Sequence, residues 1–235
     1  MTTTDALINF LLGIDITNID FSRILNKRDV LSGLMEKYIE YGMLDNAMVV
    51  SRKANLDITQ EQFIKIGDIC VEEGNLEDAI EAYERAGLEL TQEQYVRIGD
   101  KCVEQSRVGD RCVEEDRIKN AIQAYEIAGH TEGLIRFGDR CVEERMRGNA
   151  AYAAICAYEA AGYNEGLVKI GDICVEEGRF DAAMYAYEAA GLELTQEQYV
   201  KIGDICVEEG KLKDAIEAYE RAGCKEVAYF LKQLR

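Results

Sequence analysis

The 235-residue chain carries 45 acidic and 27 basic residues, a formal net charge of −18 at pH 7. This charge repels nucleic acid phosphates and anionic membrane surfaces, so neither is expected as a partner. No apolar run approaches the roughly 18 residues of a membrane span, and residues 1–13 lack the basic start of a secretion signal. We therefore expect a cytoplasmic protein, and the absence of proline favours helices throughout.

The first 27 residues are predicted to form an N-terminal helical cap, with one apolar helix over residues 5–12 and a second over about residues 20–25. From about residue 28 a repeat begins. Gly67 and Gly99 are 32 residues apart, as are Gly171 and Gly203. A period of this length fits two short helices with their turns, and neither helix could bury its apolar stripe without its neighbours.

Helix starts and stops recur inside these repeats. Thr59, Thr91 and Thr195 are each followed three residues later by glutamine, which is the pattern of a capping box. Gly210 and Gly223 are predicted to end the two helices of the last pair, because glycine adopts the left-handed cap conformation without steric cost. Apolar residues at helical spacing predict the buried stripes of this pair: Tyr199, Ile202, Cys206, Leu212, Ala215, Ile216 and Tyr219.

The middle of the chain departs from the repeat. Residues 98–107 read IGDKCVEQSR, and residues 108–117 repeat this segment as VGDRCVEEDR. Because no proline or Gly-Gly pair interrupts it, we predict one long helix over residues 91–115, with a loop near Ser106 as the alternative. Residues 95–150 contain ten basic and eleven acidic residues, so this region also differs from the rest in charge and is a candidate for self-contact.

The last segment, residues 223–235, is predicted to be a C-terminal capping helix. Val227, Ala228, Leu231 and Leu234 would share one face, with charged residues opposite. A polar outer face is what the terminal unit of a helical repeat protein requires.

The repeats resemble the tetratricopeptide repeat (TPR) family. In the unit that starts at Gln196, the family's pattern falls on Tyr199, Ile202, Gly203, Cys206, Gly210, Ala215, Tyr219 and Ala222. The resemblance covers about residues 29–234 and implies an all-α fold, a right-handed α-solenoid of antiparallel helix pairs with about six pairs over residues 28–222. The period of about 32 rather than 34 residues, the absence of proline and the recurring cysteine depart from the family's pattern.

Residues with catalytic or metal-binding chemistry do not cluster in the sequence. Six cysteines follow the repeat's glycine by three residues and are predicted to pack as small apolar side chains: Cys70, Cys102, Cys112, Cys141, Cys174 and Cys206. Cys156 and Cys224 lie outside this pattern and are the candidates for reactive thiols. His130 is the single histidine, which excludes a two-histidine metal site. We expect no catalytic residues, metal or cofactor, and therefore no enzyme.

A second stripe on the first helix of each pair remains once the buried positions are removed. It repeats an aspartate, a valine and a glutamate: Asp68, Val71, Glu72; Asp100, Val103, Glu104; Asp139, Val142, Glu143; Asp172, Val175, Glu176; and Val200, Asp204, Val207, Glu208. The resemblance implies that this helix lines the concave face. Valines flanked by carboxylates predict binding of a basic or amphipathic protein or peptide there. The alternative is that these acids only confer solubility.

These observations favour a non-catalytic scaffold or adaptor that holds a partner protein. One alternative is a structural solenoid that self-associates into a homo-oligomer through its ends or its central segment. A less favoured alternative is an enzyme with an internal pocket, which would need catalytic groups that break the repeat pattern.

Overall fold

The computed structural model describes residues 3–15, 27–105, 111–143 and 150–234. These ranges contain fourteen α-helices and no strand: α1 Thr3–Leu11, α2 Lys27–Glu40, α3 Leu44–Ala54, α4 Gln60–Glu73, α5 Leu76–Arg85, α6 Gln92–Gln105, α7 Arg111–Ile127, α8 Thr131–Glu143, α9 Ala150–Ala160, α10 Asn164–Glu176, α11 Phe180–Ala189, α12 Gln196–Glu208, α13 Leu212–Arg221 and α14 Lys225–Gln233. Of the two helices expected at the N-terminus, α1 is the first, and the second lies outside the described residues. No helix in these ranges is long and apolar enough to cross a bilayer.

The helices form two compact units, Met1–Gly129 and His130–Arg235. In the first unit α1 packs on α2, followed by the pairs α2/α3, α4/α5 and α6/α7. The second unit contains the pairs α8/α9, α10/α11 and α12/α13, and α14 packs on α13. Successive pairs of a unit contact each other through their first helices, and in the second unit α9 also packs on α10 and α11. The predicted all-α fold of stacked helix pairs is confirmed, and the division into cap, repeats and final helix stays a prediction.

The single helix expected over residues 91–115 is wrong. Helices α6 and α7 run antiparallel, since the Arg117 guanidinium donates to the carbonyl oxygen of Gln105 at 2.8 Å and the Tyr125 hydroxyl donates to Asp100 at 2.7 Å. The chain reverses because the apolar residues of α7 must be buried against α6. The second helix of this pair has 17 residues, whereas α5 has 10. The loop expected near Ser106 lies outside the described residues.

The predicted helix caps are confirmed. Thr59 and Thr195 form capping boxes with the glutamines three residues later. The Thr91 amide likewise donates to the Gln94 side chain at 2.9 Å, and the Gln94 amide donates back to the Thr91 hydroxyl at 3.3 Å. Gly210, with φ of 73°, follows α12 as expected. Neighbouring residues therefore define these helix boundaries.

A glycine–tyrosine contact holds the two helices together in the five pairs from α4/α5 to α12/α13. In the first helix, a Cβ atom at Gly67 would lie 2.5 Å from ring carbons of Tyr83, and one at Gly171 would lie 2.6 Å from the ring of Tyr187. The same contact joins Gly99 to Tyr125, Gly138 to Tyr158 and Gly203 to Tyr219. All five rings are buried. A larger residue at the glycine would therefore displace an aromatic side chain that contributes much of the pair's buried area.

The cysteines of the repeat join successive pairs. Their thiols donate to carbonyl oxygens in the turn that ends the preceding first helix, from Cys70 to Gly42 at 3.4 Å, from Cys102 to Gly74 at 3.0 Å and from Cys206 to Gly178 at 3.3 Å. The predicted burial is confirmed for five of the six, and the side chain of Cys112 lies outside the description. Burial raises the pKa of Cys70 to about 12, so this thiol stays protonated and unreactive at neutral pH.

The face predicted for the C-terminal helix is only half correct. Ala228 and Leu231 are buried, but Val227 and Leu234 are 43% and 61% exposed. Because α14 packs on α13, only the residues on that line of contact are covered. The expected polar outer face is also wrong, since the aromatic side chains of α14 are exposed at Tyr229 and Phe230.

Candidate functional site

The predicted site residues lie on the first helices α4, α6, α8, α10 and α12, which we call the first-helix surface. Their acidic side chains are at the protein surface, because every aspartate and glutamate of the stripe is exposed except Asp139, which is half-buried. Within each helix the aspartate and glutamate are one turn apart and project to the same side. Each of these helices therefore presents a pair of carboxylates.

The valines of the stripe are less accessible than the acids. Val71 and Val175 are each 3% exposed, so both side chains are packed inside and contribute little to the accessible surface. Val71 packs in the same core cluster as Ile98 of the next first helix, α6. Val103, Val142 and Val200 are half-buried, and Val207 is 39% exposed. The apolar part of the expected groove is thus concentrated on α12.

Each aspartate of the stripe accepts a hydrogen bond that was not expected from the sequence. A buried tyrosine of the second helix donates its hydroxyl to the Oδ1 atom, from Tyr83 to Asp68 at 2.5 Å, Tyr125 to Asp100 at 2.7 Å, Tyr158 to Asp139 at 2.8 Å, Tyr219 to Asp204 at 2.5 Å, and Tyr187 to Asp172. Since the ring lies on a glycine, its hydroxyl reaches the next residue, the aspartate. In the sequence, a tyrosine follows Asp68, Asp172 and Asp204 by 15 residues. This spacing is the pattern from which the hydrogen bond could have been predicted.

The tyrosine bond positions the carboxylates. Burial, and then the hydrogen bond to the carboxylate, raises the pKa of Tyr83 to about 12, and the same causes raise the pKa of Tyr187 to about 12. The hydroxyl is therefore a permanent donor at neutral pH. A carboxylate held in this way loses less side-chain entropy when a second donor approaches than a freely rotating one does.

Two of the tyrosines are also bonded to the following helix pair. The side-chain amide of Gln94 in α6 donates to the Tyr83 hydroxyl at 2.5 Å, and Gln198 in α12 donates to the Tyr187 hydroxyl at 2.5 Å. These glutamines are the same residues that form capping boxes. One glutamine therefore caps its own helix and links it to the tyrosine–aspartate pair of the preceding repeat.

Ion pairs link the same two sets of helices. The Arg97 guanidinium lies 2.7 Å from a Glu72 oxygen, with the two side chains 58% and 48% exposed. Lys201 forms the equivalent pair with Glu176. Exposed ion pairs of this kind contribute only about 0–1 kcal/mol to stability. The ion pairs of Glu72 and Glu176 are therefore weak. Another cation can replace Arg97 or Lys201 at a small cost in free energy.

A shallow cavity opens between α4 and α6, with a volume of about 470 Å³. It is lined by Asp68, Ile69, Val71, Glu72, Glu73, Gln94 and Arg97. The lining contains three carboxylates and one base, so the cavity is acidic. It brings together three residues of the predicted stripe, while Ile69, Glu73, Gln94 and Arg97 were not predicted from the sequence.

The ionisable residues outside this surface do not form an arrangement that holds a metal. Across the described ranges, no group of three or more His, Cys, Asp or Glu side chains is placed to bind one. His130 lies just before α8, and its backbone carbonyl accepts from the Gly133 amide at 3.0 Å. A groove of about 840 Å³ in the second unit is lined by Leu192, Tyr199 and Arg221 among others, and contains no residue of the predicted stripe.

Paired helices stacked through their first members, with a charged surface on those members, define a helical-repeat protein. The tetratricopeptide repeat family model matches residues 63–86 and 198–222, which contain the stripe residues of α4 and α12. The chain is therefore a TPR-like helical-repeat protein. Repeats of this family generally mediate protein–protein interactions and are typically non-catalytic scaffolds. The chain matches none of the curated proteins compared with it.

We predict that Tyr187→Phe lowers the free energy of unfolding by about 1–2 kcal/mol. The substitution retains the ring on Gly171 but removes the hydroxyl that bonds Asp172 and Gln198. Urea unfolding followed by circular dichroism measures the change. Tyr229→Phe is the control, because that side chain is 67% exposed and its replacement should leave stability unchanged. Equal stability of the two variants would contradict the role given to the hydroxyl.

We also predict that stability falls as pH rises from about 9 to 12. Ordinary tyrosine ionises near pH 10, whereas the folded protein raises the pKa of Tyr83 and Tyr187 to about 12. The folded pKa of Cys102 and Cys174 is likewise raised to about 11 by burial. In this window the unfolded chain binds fewer protons than the folded one, so the free energy of unfolding decreases. Urea titrations at several pH values test this, and stability unchanged up to pH 11 would refute it.

Proposed function

We propose that the protein is a non-catalytic adaptor that holds a basic or amphipathic segment of a partner protein on its first-helix surface, the concave face of the predicted solenoid. The observation that carries this proposal is the set of surface aspartates in each compact unit, each fixed by a tyrosine of its own helix pair. Carboxylates at repeated, fixed positions favour a partner with lysine or arginine at several points along its chain.

Electrostatics supports a basic partner in a second way. A lysine or arginine of the partner can replace Arg97 at Glu72, because that exposed ion pair contributes at most about 1 kcal/mol. The partner's cation then also meets Asp68 and Glu73 in the same cavity. Contacts of this type are screened by salt, so binding should weaken as the ionic strength rises.

Helix α12 supports the amphipathic character of the partner. Val207 is exposed and Val200 is half-buried, and both lie on the helix that carries Asp204 and Glu208. A segment that alternates apolar and basic residues can cover these valines while its charges meet the acids. Burial of apolar area provides affinity, and the carboxylates determine which segments are accepted.

We predict that the variant Asp68→Asn, Glu72→Gln, Asp172→Asn and Glu176→Gln, which changes the same two acids in each compact unit, binds a fluorescent peptide of repeated Lys-Ala-Leu about fivefold more weakly or worse, since each unit loses two charged contacts of about 0.5 kcal/mol each. Asparagine still accepts from the tyrosine hydroxyl, so the fold should be retained. Fluorescence anisotropy measures affinity at several salt concentrations. The control variant Glu84→Gln, Glu89→Gln, Glu188→Gln and Glu193→Gln loses the same number of charges at exposed positions away from the stripe.

A second variant is expected to bind the peptide more tightly instead of more weakly. Lys201→Ala frees Glu176 from its ion pair and removes a positive charge, so the same peptide should bind more tightly. Lys213→Ala, on the second helix α13, loses an equal charge elsewhere and should change affinity less. Unchanged affinity in the four-residue variant, or an equal loss in its control, would show that the first-helix surface is not the binding site.

Self-association is the second candidate function, and the observation that favours it is the exposed apolar face of α14. Tyr229, Phe230 and Leu234 are each more than 60% exposed, and a second copy of this helix would cover them. We predict that, if this face pairs, Phe230→Ser shifts a concentration-dependent dimer towards monomer in sedimentation velocity experiments. A monomer at all concentrations in the unsubstituted protein would exclude this candidate.

A further inference from the structure

One part of the first-helix surface occurs twice in the chain. The segment 66–104 recurs as the segment 170–208, with every residue shifted by 104 positions. One copy lies in each compact unit. From Ile66 to Gly74 the two copies are identical. The differences fall on the residue before the second helix (Asn75 and Arg179), on the second helix itself and on two positions of the following first helix.

The two copies also share their side-chain contacts. In both copies a tyrosine donates to an aspartate, a glutamine donates to that tyrosine, and a base pairs with a glutamate: Tyr83–Asp68, Gln94–Tyr83 and Arg97–Glu72 in the first unit, and Tyr187–Asp172, Gln198–Tyr187 and Lys201–Glu176 in the second. The residues that line the acidic cavity of the first unit have identical counterparts in the second, except that Lys201 stands in place of Arg97.

The fold alone does not require this full set of contacts. Helices α8 and α10 keep the glycine that receives the tyrosine ring, but they carry Gly133 and Gly166 where α6 and α12 carry the glutamine. A helix pair can therefore stack without the glutamine link. Retention of the glutamine link, the ion pair and the residues that line the cavity at two places indicates a shared task at those places.

We propose that the chain contains two equivalent binding sites: site 1, formed by Asp68, Glu72, Gln94 and Arg97, and site 2, formed by Asp172, Glu176, Gln198 and Lys201. Each site takes one lysine- or arginine-bearing segment. This inference rests on the proposed function and specifies the partner further, as a protein that presents the same basic segment twice, either through a repeated sequence or as a symmetric dimer.

The chemistry of the cavity supports a basic occupant. Three carboxylates and one base line site 1, and Ile69 adds an apolar wall. The carboxylate of Asp68 is already positioned by Tyr83, so a single cation can bond Asp68 and Glu72 together. The counterparts of the lining residues in site 2 differ only by lysine in place of arginine, so we expect the two sites to have similar affinities. Next to them, Arg179 replaces Asn75 and lies 3.7 Å from Glu177.

Isothermal titration calorimetry with the Lys-Ala-Leu peptide tests this proposal. We expect two peptides per chain in the unsubstituted protein. The Glu72→Lys variant and the Glu176→Lys variant should each bind one peptide per chain. The double variant should bind no peptide with the original affinity. Both glutamates are about half or more exposed, so the substitutions should not unfold the chain, which circular dichroism verifies.

The controls are Glu89→Lys and Glu193→Lys, which reverse the equivalent charge in the loops that precede α6 and α12. These should retain two peptides per chain. If the unsubstituted protein binds one peptide per chain, and only one of the two site variants loses that binding, the two-site inference is overturned and the proposed function remains intact. Absence of binding, or binding that neither site variant changes, would overturn both.

Discussion

The contact between a glycine on one helix and a tyrosine ring on the next determines most of this structure. Because glycine has no side chain, the ring of Tyr83 lies directly on the backbone at Gly67, and the two helices approach closely. The hydroxyl then falls beside Asp68 and donates to it. Packing within a pair and the position of an acidic group on its surface are consequently parts of one interaction, repeated in both compact units.

The contacts between successive pairs use different chemistry. A buried cysteine donates to a carbonyl oxygen in the preceding turn, and at two places a glutamine and an ion pair add to this link. Cysteine suits this position because it is small and apolar yet still carries a weak donor. The glutamates of the ion pairs are also the groups that the proposed partner would contact, so partner binding and the contact between first helices depend on each other.

The extra ten residues in the middle of the chain illustrate how packing decides between local alternatives. Both copies of the duplicated segment, IGDKCVE and VGDRCVE, have a helical pattern, and a continuous helix would satisfy their backbone hydrogen bonds equally well. It would, however, leave the apolar residues of the following segment without a partner helix. Tyr125 instead lies on Gly99, and α7 is longer than the other second helices. Burial of one aromatic side chain and its neighbours outweighs helix continuity here.

The amino-acid sequence by itself determined the helix pairs, their caps and the burial of the cysteines, because these depend on residues a few positions apart and on a short period. The tertiary structure decided which surface positions remain accessible. Val71 is buried and Val207 is exposed although both occupy the same place in the repeat, and Asp68 has a tyrosine partner 15 residues away. Such properties depend on which helix covers a given face, and that neighbour is defined by packing in three dimensions rather than by adjacent residues.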